Sequence, residues 1–234
     1  NIRRQIIKIN RLKGEFHMIR TIIFDMDGVL FDTEKIYDEA WKIILKERNV
    51  ENIDYVLSGC RGLTSEDSEK FIDANFKGRL SGKECLNDLM DKFNEIIEKR
   101  GVPIKNGVHE LLSYLKRNHY EIGLASSTHE PLVVSHLKEV GIREYFTHLT
   151  TGDMVEKGKP EPDIYLKACS KFNRKPEECI AVEDSINGVT AAIRAGMNAI
   201  MVPDIVQPTK EIEKQLYKKL NSLLEVKDFL ESIN

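Results

Sequence analysis

Short apolar runs and helical stripes alternate along this chain. "IRTIIF" (19–24), "YEIGLAS" (120–126), "CIAVE" (179–183) and "AIMV" (199–202) read as buried strands, with a weaker run at "YFTHLTT" (145–151). Between them the spacing turns helical. Val108, Leu111, Leu112 and Leu115 follow i, i+3, i+4, i+7; Leu132 to Val140 ends at Gly141; Ile164 to Phe172 follows Pro162, a good first helical residue. Strands that alternate with helices in this way predict an α/β fold, a parallel sheet with helices on both faces. Such sheets bind ligands beyond the carboxyl ends of their strands.

One stretch breaks the alternation. Residues 33–103 contain no strand-like run and keep helical spacing throughout: Ile36, Ala40, Ile43 and Ile44 form one stripe, and Leu86, Leu89, Met90, Phe93 and Ile97 another. The expected organisation is therefore a core of residues 18–32 and 104–234 with a helical-bundle cap, 33–103, inserted after the first strand. Hinges are expected at Phe31 to Thr33 and at Gly101 to Pro103, so that the cap opens and closes over the strand ends. Residues 209–234 read as polar-faced helices covering the sheet.

Composition narrows the setting. The 234 residues are 41% hydrophobic and 31% charged, with a net charge of −3. No apolar run approaches the roughly 20 residues of a membrane-spanning helix, and no secretory leader is apparent. Cys60, Cys85, Cys169 and Cys179 show no metal-binding spacing and read as buried free thiols in a reducing compartment, so a cytoplasmic location is expected. Residues 1–17 carry Arg3, Arg4, Lys8, Arg11 and Lys13 against Glu15 alone. Lys13-Gly14-Glu15 ahead of Met18 resembles a ribosome-binding site read as protein, so 1–17 is expected to be a non-native or disordered leader. No basic patch with interleaved aromatics occurs elsewhere, so neither nucleic acid nor membrane is an expected partner.

The candidate chemistry sits where strands end. Asp25 and Asp27 close the first strand, and Gly28 lets the backbone turn; Ser126 closes the second; Lys159 lies in the loop after the third; Glu183 and Asp184 close the fourth. In a parallel sheet these clusters meet at one rim. Carboxylates at such close range need roughly a divalent charge to coexist, and Mg²⁺ takes oxygen ligands while accepting a substrate phosphate. With Lys159 screening the phosphate, one aspartate can attack phosphorus and the other can carry the proton. Taken singly, these residues have plainer readings: Asp-Gly as a turn, Ser126 or Glu183-Asp184 as helix caps, Lys159 as a solvated charge.

In order, "DMDGVLFDTE", "LASS", "KPEPDIY" and "VEDSINGV" resemble the four motifs of the haloacid dehalogenase superfamily, in its phosphatase and β-phosphoglucomutase branch. The resemblance covers the chain from Ile19 to about Pro203. It implies a Rossmann-like core with a helical cap and a Mg²⁺-dependent phosphomonoester hydrolase. On this resemblance Asp25 is the nucleophile, Asp27 the general acid and base, and Ser126 and Lys159 the phosphate ligands. Asp184, the Asp25 carboxylate and the Asp27 carbonyl are the implied holders of Mg²⁺, with Glu183 beside them. Gly28, Ser127, Arg61 and Thr33 are the expected substrate-binding positions.

The expected substrate is a small phosphorylated metabolite such as a sugar phosphate, and the expected assembly a monomer. A β-phosphoglucomutase is the alternative, weakened because Ser65 and Phe93 stand where such an enzyme's cap carries basic residues. A receiver-like phospho-aspartate switch is a further alternative, disfavoured by the adjacent second aspartate and the lid. In "CRGLTSED", Arg61 and Gly62 resemble a cap loop turned toward the site, with Arg61 expected to bind an anionic leaving group. Trp41 is expected in the cap core; His109, His119, His136 and His148 read as surface or helix-face residues, and His129 as a surface position on a first turn.

Overall fold

The computed structural model describes residues 19–61 and 63–233, so the expected leader and Gly62 lie outside the described residues. Strands β1 (Thr21–Phe24), β2 (Glu121–Ser126), β3 (His148–Thr151), β4 (Cys179–Glu183), β5 (Asn198–Met201) and β6 (Lys218–Lys219) form one parallel sheet in the order β3-β2-β1-β4-β5-β6. The fold is Rossmann-like. Strand order reverses at β1, which lies between β2 and β4, and the crevice at that reversal is where open α/β sheets bind ligands.

Burial explains why the strands read as continuous apolar runs: both faces are covered. Ile22 and Phe24 of β1 pack toward helices α5 (Val108–Arg117), α6 (Glu130–Glu139) and α10 (Leu223–Ile233), whereas Ile23 packs with α7 (Asp163–Lys171) and α8 (Ile186–Ala195). β6 departs from the sequence expectation, which had only helices after residue 209. It follows a short helix, α9 (Lys210–Glu213), and pairs at the sheet's edge through Lys218 and Lys219. Edge strands carry lysines to discourage further pairing, and the same lysines erase the apolar signal of a strand.

Four helices follow β1: α1 (Glu34–Glu47), α2 (Ile53–Cys60), α3 (Ser65–Asn75) and α4 (Gly82–Arg100). Asn52, Thr64 and Ser81 cap the last three by accepting from backbone N–H groups at 3.3, 3.1 and 3.3 Å. The buried face of α4 is rotated from the expected stripe. Cys85, Leu89, Phe93, Ile96 and Ile97 point inward, Phe93 stacks on Tyr37 with ring centroids 4.2 Å apart, and Met90 turns outward. The chain enters and leaves these helices side by side: Phe31 bridges Ile104, Asp32 N–H donates to Pro103 O at 2.9 Å, and Lys105 N–H donates to Leu30 O at 2.9 Å. Among the described residues no helix is long and apolar enough to cross a membrane, and all four cysteines are free and buried.

Candidate active site

Parallel register brings the strand ends level. Phe24 aligns with Leu124 and Val182, so Asp25 follows one step on, its N–H donating to Val182 O at 3.0 Å. The chain then turns sharply, with Gly28 at φ +79° and its N–H donating to Phe31 O at 2.9 Å. A Cβ at Gly28 would stand 2.1 Å from Asp184 Oδ2, so both the backbone conformation and the close approach require glycine. Gly188 plays a matching part in the first turn of α8, where a Cβ would come within 2.0 Å of Glu183 Cδ.

Lys159 is the hub. Its Nζ donates to Asp25 Oδ1 at 2.5 Å, to Glu183 Oε1 at 2.7 Å and to Ala125 O at 3.1 Å, with only 8% of its side chain exposed. Burial opposes its charge, but Asp25 and Glu183 outweigh that and hold the ammonium above its usual range. Burial also pushes the Asp25 carboxyl up to about 8 against the pull of Lys159. Asp184 is raised by burial and then by Glu183 and Asp25. One lysine does not neutralise three carboxylates.

That imbalance, together with an all-oxygen donor set, fits a hard cation. Oxygens of Asp25, Glu183 and Asp184 lie within 4.8 Å of one another. Glu183, fully buried, is already engaged: Oε1 accepts from Lys159 and from the Tyr165 hydroxyl at 2.6 Å, and Oε2 from Asp184 N–H at 3.3 Å and Ser185 Oγ at 3.4 Å. The neighbouring helix is capped by Ser185, whose Oγ accepts from Gly188 N–H at 3.0 Å, so Glu183 and Asp184 are not spent as caps.

Asp27 has a different setting. Thr33 Oγ1 donates to its Oδ1 at 3.0 Å and Thr128 Oγ1 to its Oδ2 at 3.1 Å, while burial pushes its carboxyl up. Thr33, expected at the substrate, is fully buried, and its hydroxyl is committed to orienting Asp27. Ser126 is buried beside them and accepts from Thr128 N–H at 3.1 Å; the α6 N-cap position falls to His129 instead, without a side-chain bond. Ser127 is exposed. Arg61 Nη2 pairs with Asp38 Oδ2 at 2.5 Å, which largely neutralises the charge expected to meet an anionic leaving group. His136 corrects another expectation: it is 4% exposed, edge-on to Phe31, and its Nδ1 has no hydrogen-bond partner.

Two side chains went unrecognised in the sequence. Thr128 was given no role there, and Tyr165 appeared only as the last residue of "KPEPDIY". Tyr165 is fully buried on α7; its hydroxyl holds the Glu183 oxygen that Lys159 also uses, and Lys159 Nζ lies 5.2 Å from its ring centroid. Tyr165→Phe keeps the ring and removes one bond to a buried carboxylate, about 1–2 kcal/mol, or roughly a tenfold fall in kcat/KM. On the expectation that Lys159 meets the phosphate, the fall is the same for good and poor leaving groups; steady-state kinetics on two such substrates checks it, and a loss confined to one would contradict it.

The chain belongs to the haloacid dehalogenase-like hydrolase family, whose sequence pattern matches residues 22–202. It is 30% identical over 187 residues to a phosphorylated carbohydrates phosphatase of Thermotoga maritima, covering 78% of this chain and 84% of the relative. It is 30% identical over 190 residues to the β-phosphoglucomutase of Bacillus subtilis, covering 79% and 83%. The crystal structure of CbbY of Rhodobacter sphaeroides in complex with xylulose-1,5-bisphosphate superposes with a TM-score of 0.72 at 26% identity, covering 89% of this chain and 96% of that one.

Proposed function

We propose that this enzyme, a phosphatase of the haloacid dehalogenase-like family, is a Mg²⁺-dependent phosphomonoesterase that acts on a small phosphorylated metabolite through an aspartyl-phosphate at Asp25. The observation that carries the proposal is the contrast between the two aspartates on one turn. Burial raises both carboxyls, but their partners differ: Asp25 is bonded to the Lys159 ammonium, which pulls toward its ionised, nucleophilic form, whereas Asp27 is held by two hydroxyls and no cation, which leaves it free to carry a proton.

The steps follow from these contacts. Lys159 and Ser126 bind the phosphoryl oxygens, and an Asp25 oxygen attacks phosphorus in line. Asp27 donates its proton to the departing alkoxide, then takes a proton from the water that attacks the aspartyl-phosphate, which frees phosphate and restores Asp25. Asp25, Asp184 and the Asp27 carbonyl would hold Mg²⁺, with Glu183 at its edge, and the ion supplies charge that offsets the phosphate's when bound. Tyr165 and Glu183 keep Lys159 aimed at Asp25.

Residues 33–103 act as a lid over the core of 18–32 and 104–234, with the paired segments around Phe31 and Ile104 as hinge. Phosphatase is favoured over mutase because Ser65 is neutral and Phe93, 2% exposed and stacked on Tyr37, belongs to the helical core. The buried free thiols support a cytoplasmic setting. Phosphate release from sugar phosphates, nucleotides and small organic phosphates, with Mg²⁺ and with EDTA, tests the reading. Release that requires the metal is expected; release unaffected by EDTA contradicts it.

A further inference from the structure

Two cavities lead away from the carboxylate rim. One, about 220 Å³, starts at Asp184 and Ser185 and passes Ile205 and Val206; the other, about 260 Å³, opens among α1 to α4. They share two lining residues, Glu34 and Arg61, so the second continues the first away from the phosphate end. The wall of the inner cavity is mostly apolar, Trp41, Leu57, Leu89 and Met90 among it, with hydroxyl-bearing Tyr37, Ser65 and Ser68.

Exposure points the same way. Leu63, Met90 and Ile205 are 42%, 38% and 38% exposed, and all three border one of these cavities. Large apolar side chains left open beside a concave surface mark a place for an apolar ligand surface. Each cavity alone lies below the roughly 300–1,000 Å³ of pockets that hold drug-sized ligands, so a group seated in the inner one is small.

Charge adds a restriction. Glu34 and Asp38 line the inner cavity, and Glu34 and Asp184 the outer one. Among the described residues, Arg61 is the cation lining either, and its guanidinium is paired with Asp38 at 2.5 Å. A second phosphate or a carboxylate on the leaving group would meet the Glu34 carboxylate beside an Asp38–Arg61 pair whose charges cancel, with no unmatched cation to receive it.

Resting on the phosphatase reading, we infer that the substrate is the monophosphate ester of a small, uncharged alcohol with an apolar face. That face seats against Trp41, Leu57, Leu89 and Met90, its hydroxyls reach Ser65 and Ser68, and Glu34, with no unmatched cation beside it, excludes leaving groups that carry a second anion. Arg61 acts as the partner that keeps Asp38 in place at the junction of the cavities.

Matched substrates test this with the Mg²⁺-loaded full chain. The pairs are glucose 6-phosphate against glucose 1,6-bisphosphate and glycerol 1-phosphate against 3-phosphoglycerate, with methyl, butyl and cyclohexylmethyl phosphate as an apolar series. Acetyl phosphate, whose leaving group is too short to fill the inner cavity, reports the chemistry alone. Like-charge juxtaposition predicts that kcat/KM for each uncharged member exceeds its anionic partner by about 100-fold or more. Apolar burial predicts a rise of roughly fourfold for each added methylene until the cavity is filled.

The variant Glu34→Gln, which leaves the Asp38–Arg61 pair intact, is expected to narrow the monophosphate-to-bisphosphate ratio at least tenfold. Equal or faster turnover of the anionic partners by the native chain, or a flat response across the alkyl series, overturns the inference while acetyl phosphate turnover leaves the phosphatase reading standing. No turnover of any compound, acetyl phosphate included, overturns both.

Discussion

Asp25→Asn is expected to remove phosphatase activity by roughly four orders of magnitude or more, because the proposed mechanism forms its first bond to phosphorus through the Asp25 carboxylate. Asparagine keeps the shape of the turn and its bond to Val182 O. It also removes a buried carboxylate that burial raises and that itself raises Asp184, so the metal-free variant is expected to melt no lower than the native chain. Phosphate release and a thermal melt read the two expectations separately. A folded variant that retains more than about a hundredth of native turnover removes Asp25 from the reaction.

Asp27→Asn is expected to cost roughly 10²–10⁴-fold in turnover of alkyl phosphates, the usual share of a positioned general acid and base. Thr33 and Thr128 then hold an amide that has no proton to give. With a good leaving group such as p-nitrophenolate the first step needs little acid, while the second still needs a base. The variant should therefore release a burst of close to one nitrophenol per chain and then stall. The pH profile follows the same logic. Burial raises Asp27, so the protonated, donating form persists above the usual carboxylate range, and native turnover of alkyl phosphates is expected to fall as pH rises through that elevated value. The variant should lack that limb. Full native turnover by Asp27→Asn would refute the role, and Mg²⁺ binding in the variant, measured by calorimetry, should persist because the backbone carbonyl is unchanged.

Much of this was legible in the sequence. Buried parallel strands must be apolar on both faces, so "TIIF" and "CIAVE" stood out, and a parallel sheet brings all their carboxyl ends to one rim. That logic alone brought Asp25, Asp27, Ser126, Lys159, Glu183 and Asp184 together. The features that escaped depend on tertiary contact. Thr128 bonds to a residue 101 positions earlier and Tyr165 to one 18 positions later, and no spacing rule links them.

Other misses have local causes. The α4 stripe rotated because Cys85 and Ile96 also fill the bundle, which left Met90 to face a cavity. β6 is a two-residue lysine edge, too short and too polar to carry a strand signal. His136 is polar by type but lies buried behind the turn that carries Asp27. Arg61 was read as a free cation because its partner, Asp38, sits on another helix.

The central claim is a covalent phosphoryl group on Asp25. Its most direct test is to mix Asp27→Asn with Mg²⁺ and p-nitrophenyl phosphate, quench in acid during the burst, and map the phosphorylated residue by peptide mass spectrometry. The account predicts one phosphoryl group per chain, on the peptide spanning residues 21–34 and at Asp25. Nitrophenol release with no phosphorylated peptide, or with the group on any other residue, would contradict it.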